Sequence, residues 1–323
     1  MPSTISTLGV QLFTSYYLQR QQADLATLTE QLASQKQHNN LTDYAPVNAH
    51  NILDFQNGIT QRQAYIAGIQ TVNARLTVYD STMNDMENIA AQAKSLIVQN
   101  QTLDTTKIPQ LRAQAQTYLR QLQDDLNQEV GGRYIYAGTR YSTVPVIDLT
   151  TLAAPTIPFV PETTPNLPDY DMDYVAPGPT TSAAAWAKES VAVDNAFTVQ
   201  YGVTSTETGF QQLIAGLRVF HNATNLTDPA AYQTAMVDAS NLITEAVQNI
   251  QATHAAVAGN INILKQQNDI ANTDIVNLQN QLSSIQQVDL TSVGTQINLL
   301  QVQLQASYSA TAGIIQQSIL KYL

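Results

Sequence analysis

The sequence predicts a mainly α protein: a long antiparallel helical coiled-coil rod formed by the N- and C-terminal segments, with a small β-rich inserted domain. Three observations indicate this class. Apolar residues recur at spacings of three and four through most of both halves of the chain, as in helices that share a core. Eight of the 12 prolines lie between residues 144 and 180, which excludes a long helix there. Charged residues make up only 12% of the chain, so the polar helix faces consist largely of Gln, Asn, Ser and Thr.

Three long helices follow from the apolar pattern and from its start and stop signals. Residues 50–100 keep the helical spacing throughout, which predicts one helix of about 75 Å at about 1.5 Å per residue. Pro109 suits the first turn of a second helix, and Gly131-Gly132 ends it. Pro229 opens a third long helix that continues to about residue 288.

The second helix is followed by a corner and by the insert. In residues 131–140, two glycines end the helix, alternating residues predict a short strand, and Gly138 permits a turn. Within the insert, Thr143–Ile147 and Ala196–Tyr201 also have the pattern of short strands joined by loops.

The two ends of the chain have few charges. Residues 1–23 contain one charged residue, Arg20, and residues 290–323 contain one, Lys321, yet both segments have apolar stripes at helical spacing. Helices of this kind can pack against copies of themselves without burying an unpaired charge, which favours assembly. The alternative is that the two helices pair within one bundle. We assign the assembly interface to the leucines, valine and isoleucine of these stripes: Leu25, Leu28, Leu32, Val293, Ile297, Leu300 and Leu304.

This pattern divides the chain into three parts. Residues 1–45 and 289–323 are the terminal assembly helices, residues 46–143 and 206–288 form the helical rod domain, and residues 144–205 form a β-rich insert that faces solvent.

Composition excludes several classes of function. With 14 basic against 25 acidic residues and a net charge of -11, we expect no nucleic-acid partner. The absence of cysteine excludes disulfides and thiolate sites. No run of 18 apolar residues is present, so we expect no membrane insertion. Residues 1–12 contain no Lys or Arg, and polar residues interrupt their apolar positions, so we expect no cleaved secretory signal.

No catalytic, cofactor-binding or metal-binding pattern is found. The sequence contains no His-Glu-x-x-His pair, no Gly-x-Ser-x-Gly elbow, no phosphate loop and no dinucleotide fingerprint. We therefore expect no enzyme activity and no cofactor, and we expect each of the scattered histidines to be solvated or part of the core: His38, His50, His221 and His254.

Two features of the insert have a functional and a structural interpretation. The carboxylates of Asp169, Asp171 and Asp173 could hold a calcium ion, but the remainder of an EF-hand loop is missing, which favours a solvated acidic loop. The second feature is a group of aromatic residues, which could form a sugar-stacking platform but more often fill a small core: Tyr170, Tyr174, Tyr201 and Trp186.

The corner and the C-terminus resemble the flagellin superfamily. Residues 132–138, Gly-Arg-Tyr-Ile-Tyr-Ala-Gly, are similar to the family's Gly-x-Tyr-apolar-Phe-small-Gly segment, with Tyr136 in place of Phe. Residues 304–311 and 318–323 are similar to its closing helix. The resemblance covers residues 1–143 and 206–323. It departs from the family at residues 41–46, which keep the proline but lack the paired acids of an Asp-Asp-Pro turn.

The resemblance implies a structural, non-enzymatic subunit of the bacterial flagellum. It implies extracellular location after export of the unfolded chain through the flagellar type III channel, and the lack of cysteine agrees with that route. The terminal helices would pair as a coiled coil and assemble with copies of the chain and with other flagellar subunits, including flagellin. An export chaperone is also implied. A filament flagellin and a surface-exposed glycan-binding module remain alternatives.

Overall fold

The computed structural model describes residues 7–162, 173–175 and 181–320. In this part of the chain it has seven α-helices and one two-stranded antiparallel sheet, which confirms the predicted mainly α class. The helices are α1 (Thr7–Ser34), α2 (Pro46–Gln99), α3 (Ile108–Leu126), α4 (Thr181–Trp186), α5 (Thr208–Ala223), α6 (Pro229–Gln286) and α7 (Leu290–Leu320). The strands are β1 (Ser190–Ala192) and β2 (Thr198–Gln200).

Prolines mark the starts of the three predicted long helices. Pro46 and Pro229 are the first residues of α2 and α6, and Pro109 is the second residue of α3. A proline suits this position because the first helical N–H groups have no partner inside the helix. The observed helices thus lie within a few residues of their predicted bounds.

The chain forms two compact units. The terminal unit comprises residues 1–61 and 273–323, and the central unit comprises residues 62–272. The long helices α2 and α6 contribute residues to both units.

The central unit has a continuous core of fully buried side chains from α2, α3, α5 and α6. Tyr136 lies at its middle, where its ring packs edge to face on Tyr79 at 4.9 Å and on Phe210 at 5.6 Å between centroids. The Tyr136 hydroxyl is 2.5 Å from Thr82 Oγ1, and the Tyr79 hydroxyl donates to the carbonyl of Ile135 or Val203. The buried phenols therefore have hydrogen-bond partners.

The corner after α3 differs from its prediction. Residues 134–136 form turns with one isolated bridge between Glu129 and Tyr134, rather than a strand. Gly131, Gly132 and Gly138 all have positive φ values, of 61°, 76° and 65°. At Gly138 an added Cβ would lie only 2.7 Å from the carbonyl oxygen of Ala185. The glycine is therefore needed both for its backbone conformation and for close packing against the insert.

The predicted strand at Thr143–Ile147 is also absent. Only Val146 forms an isolated bridge, to Val175. The amide side chain of Asn127 forms hydrogen bonds with both backbone groups of Val146 instead. Its Nδ2 donates to the carbonyl at 2.9 Å, and its Oδ1 accepts from the N–H at 3.0 Å. A side chain cannot continue a ladder, so the segment stays irregular.

The predicted strand at Ala196–Tyr201 is confirmed in part as β2. It pairs with β1 in the register Ser190 to Gln200. Beside this hairpin, a half-buried cluster links it to α2: Arg75 Nη1 is 2.8 Å from Glu189 Oε2 and 2.6 Å from the hydroxyl of Tyr201.

The aromatic residues singled out in the insert do not form an exposed platform. Tyr174 and Tyr201 are buried and Trp186 is half-buried, while Tyr170 lies outside the described residues. Asp173 forms an ion pair with the buried Arg218 at 2.6 Å, and Asp169 and Asp171 lie outside the described residues.

Candidate assembly surface

Helices α1 and α7 of the terminal unit pair in an antiparallel arrangement. Gln22 Nε2 donates to the hydroxyl of Tyr308 at 2.6 Å, and Ser307 Oγ donates to Gln21 Oε1 at 3.4 Å. Residues near the end of α1 meet residues near the start of α7, as the bridge between Lys36 and Gln287 shows. The two ends of the chain are thus brought together along most of their length.

The facing residues follow the spacing of a coiled coil. On α7 the less exposed positions alternate steps of four and three, and on α1 the same alternation holds up to Leu28, after which the next such position is Gln31. The α7 positions are Val293, Ile297, Leu300, Leu304, Ser307 and Thr311, and the α1 positions are Thr14, Leu18, Gln21, Leu25 and Leu28. We call this set the terminal seam.

The terminal seam contains six of the seven residues assigned to assembly from the sequence. Val293 and Leu304 are buried, and Leu25, Leu28, Ile297 and Leu300 are half-buried. Leu32 is not brought to the seam: it is 42% exposed. The neighbouring Gln31 takes the inward position and donates to the carbonyl of Gln37 at 2.8 Å.

Sequence reasoning missed Gln21, which is only 8% exposed. Gln21 lies between Leu18 and Leu25 at the spacing of the seam, and that spacing could have identified it. A search for apolar residues overlooks it because its side chain is an amide. Polar residues also line an open groove of about 460 Å³ between the two helices. Its lining is Asp24, Thr27, Leu28, Gln31, Gln296, Leu299, Leu300 and Gln303.

The segments that connect these helices to α2 and α6 are held to each other by backbone hydrogen bonds. Gln37 N donates to the carbonyl of Gln286 at 2.7 Å, and Val288 N donates to the carbonyl of Gln35 at 3.2 Å. Gln35 adopts a positive φ of 58°, which turns the chain at the end of α1. The segment that joins α1 to α2 and the segment that joins α6 to α7 thus lie side by side and are hydrogen-bonded to each other.

Large apolar side chains are exposed on both helices of the pair. On α1, Phe13 is 68% exposed, and it stacks on the exposed Tyr17 with 6.1 Å between ring centroids. On α7, Leu299 and Val302 are exposed one turn apart. Exposed apolar area of this kind is available for contact with a partner. The exposed set, which we call the outer apolar face, is Leu12, Phe13, Tyr16, Tyr17, Leu299, Val302 and Tyr308.

The paired helices contain few ionisable groups. Residues 290–320 include no Asp, Glu, Lys, Arg or His, and α1 includes only Arg20, Asp24 and Glu30. Across the described residues, no group of acidic and histidine side chains is arranged to hold a metal ion. No helix in this part of the chain is long and apolar enough to cross a membrane. The prominent feature of the terminal unit is therefore a helix pair with few charges and with exposed apolar side chains.

Family models of the flagellins match both ends of the chain. The bacterial flagellin N-terminal helical region matches residues 5–140, and the bacterial flagellin C-terminal helical region matches residues 240–323. Together they cover more than half of the sequence. The chain belongs to the flagellin superfamily, and it is a structural protein of the flagellum. Among curated protein sequences, none matches this chain.

Solved structures of flagellar proteins have a similar fold. A flagellar hook-associated protein from Vibrio parahaemolyticus is 14% identical with a TM-score of 0.51, and the match covers 76% of this chain and 100% of that one. FlgL from Bacillus cereus is 17% identical with a TM-score of 0.51, and the match covers 72% of this chain and 100% of that one. At these identities the likeness concerns the fold.

Proposed function

We propose that this protein joins the flagellar hook to the filament, adapts one helical lattice to the other and templates filament assembly. The observation that carries the proposal is the α1–α7 pair, which has few charges, together with its outer apolar face. A helix pair of this kind leaves apolar area in water until another subunit covers it. Copies of the chain would cover that area in a ring or short tube.

Two features favour the junction over the filament itself. The first is that the insert of residues 144–205 is small. The similar folds include FlgL and a hook-associated protein. The partners of this function are copies of the chain, another hook-associated protein, flagellin and an export chaperone. Export would follow the flagellar type III route without a cleaved signal.

The first test removes the gene and combines electron microscopy of the cells with an assay of flagellin in the medium. Bare hooks with abundant flagellin in the medium support a junction protein, because export continues while the filament has no base on which to grow. Bare hooks without secreted flagellin identify the alternative, a filament flagellin. Intact flagella contradict both roles.

A second test introduces a charge into the terminal seam. The half-buried Leu300 lies in the α1–α7 contact and lines the same groove as Asp24, so Leu300→Asp would remove an apolar contact and add a second carboxylate there without a basic partner. We expect a soluble protein whose central unit folds but which fails to enter flagella. The matched control is Gln301→Asp, which adds the same charge on an exposed position of the same helix. Normal incorporation of Leu300→Asp would contradict the assignment of this surface to assembly.

A further inference from the structure

His254 on α6 lies between two carboxylates of α2 within the central unit. Its Nδ1 is 2.9 Å from Glu87 Oε1, and its Nε2 is 2.9 Å from Asp80 Oδ1. Asp80 and Glu87 are separated by two helical turns, which places both on the same side of α2. The ring is largely buried, with 18% of its side chain exposed.

The protonation state of the ring follows from this geometry. A neutral imidazole has one N–H and can donate to one carboxylate only, whereas the imidazolium ion donates from both nitrogens. Without the second proton, a ring nitrogen lone pair would face a carboxylate oxygen at hydrogen-bond distance. The carboxylates lie at different edges of the ring, so they do not converge with a ring nitrogen on one metal ion.

The charged groups that contact the ring are Glu87 and Asp80, both on α2. Along α6, residues 250–264 contain no other ionisable side chain. Burial opposes the charged form and lowers the pKa of His254, but the hydrogen bonds and charges of Glu87 and Asp80 together outweigh burial and raise that pKa above its ordinary value.

We propose that His254 links α2 to α6 in a way that depends on its protonation. The cationic ring donates hydrogen bonds to both Glu87 and Asp80, and the neutral ring keeps only one of the two. After the ring loses a proton, it keeps its hydrogen bond to Glu87 as the Nδ1–H tautomer. Asp80 is 47% exposed against 24% for Glu87, so water can solvate the Asp80 carboxylate more readily. The free energy of unfolding of the central unit therefore falls as the pH rises. This inference is independent of the flagellar role proposed above.

The direction of the pH dependence follows from linkage. A folded pKa above that of the unfolded chain, about 6.5 for histidine, gives stability that is fully present below about pH 6.5 and lost as the pH rises through the folded value. His221 provides an internal contrast, because burial and then the charge of Arg112 lower its pKa. Its contribution is present above about pH 6.5 and lost as the pH falls through its folded value.

The direct test is an NMR titration of the full-length monomer labelled with ¹⁵N-histidine, from about pH 5 to about pH 9. Spectra of His254→Gln and His221→Gln assign the two rings. We expect the midpoint of His254 to lie above about 6.5 and that of His221 below it. The neutral form of His254 should carry its proton on Nδ1. A His254 midpoint at or below 6.5, or a neutral ring protonated on Nε2, would overturn the proposal.

Thermal unfolding supplies the readout for stability. The Tm of wild type should exceed that of His254→Gln most at about pH 6, and the difference should shrink by about pH 9. The control, His50→Gln, removes a histidine whose side chain is 76% exposed beside Asp54, so it should change the Tm little at any pH. A difference for His254→Gln that stays constant with pH would mean that the ring acts by packing alone.

Discussion

The two units bury their apolar residues to very different degrees. In the central unit, buried apolar side chains form one continuous core that includes fully enclosed tyrosines. In the terminal unit, the described side chains provide only four buried apolar residues: Tyr44, Ile52, Val293 and Leu304. The difference does not reflect a lack of apolar residues, because α1 and α7 expose leucines, a phenylalanine and tyrosines to water.

This contrast agrees with the assembly proposed above: the central unit has a core of its own, whereas the terminal unit leaves apolar area that another subunit would cover. A helix pair without a third partner buries one stripe on each helix and leaves the other faces in solvent. Helices of this kind gain most of their stability from packing rather than from intrinsic propensity. Substitutions in the central unit should therefore affect unfolding, and those on the outer apolar face should affect assembly.

The largest effect on stability is expected at Gly138. In Gly138→Ala, the new Cβ would meet the carbonyl oxygens of Ala184 and Ala185, and the backbone would stay in the left-handed region. We expect a loss of several kcal/mol, at the upper end for single substitutions. Gly131→Ala is the matched control, because Gly131 has a similar φ of 61° but no atom within 4 Å of the added Cβ.

Gly131→Ala should cost about 1–2 kcal/mol, the price of the left-handed backbone alone. Urea unfolding of both variants measures the difference. Equal losses for the two variants would contradict a close contact between the corner and the insert.

A smaller effect is expected from Asp125 of α3. Burial, and then the charges of Asp85 and Asp124, raise the pKa of Asp125 to about 7. A raised carboxyl pKa means that stability is lost as the pH rises from the unfolded value of about 3.9 through about 7. Asp125→Asn should therefore raise the Tm at pH 8 by a few degrees and change it little at pH 4. A Tm gain that is equal at both pH values would contradict the raised pKa.

The smallest effect on unfolding is expected from Phe13→Ser on the outer apolar face. The side chain is 68% exposed, so the free energy of unfolding of the monomer should change by less than about 0.5 kcal/mol. Incorporation into flagella should nevertheless fall, because the apolar area available to a neighbouring subunit is smaller. Gln19→Ser, at an exposed polar position of α1, is the control. If both variants assemble like wild type, the outer apolar face is not a subunit contact.

The sequence predicted those parts of the fold that depend on local signals. Apolar spacing located α2 and α6, Pro109 and Pro229 marked the starts of α3 and α6, and Gly131-Gly132 marked the end of α3. It did not identify α5 as a separate element, because 13 of the 16 residues of α5 are buried and a helix enclosed on all sides lacks a contrasting polar face. It predicted a strand at Thr143–Ile147 that the Asn127 side chain replaces.

For the candidate surfaces too, the sequence predicted what depends on local spacing and missed what depends on contacts between distant residues. Helical spacing in the sequence identified six apolar residues of the terminal seam, but it included Leu32, whose place Gln31 takes. It passed over the polar seam residues, which are Thr14, Gln21, Ser307 and Thr311. The His254 pairing was missed because its partners lie 167 and 174 positions away in the sequence. No spacing rule connects residues at such distances, and only the packing of α2 on α6 brings them together.

The scarcity of charge on α1 and α7 has a consequence for the surroundings in which subunits can join. Dissolved ions act on charges, and at 0.1 M they screen them over about 10 Å. Residues 290–320 offer those ions no charged side chain to act on. Contacts made through α7 should therefore depend little on the screening of charges by salt, a property suited to the assembly outside the cell that we propose.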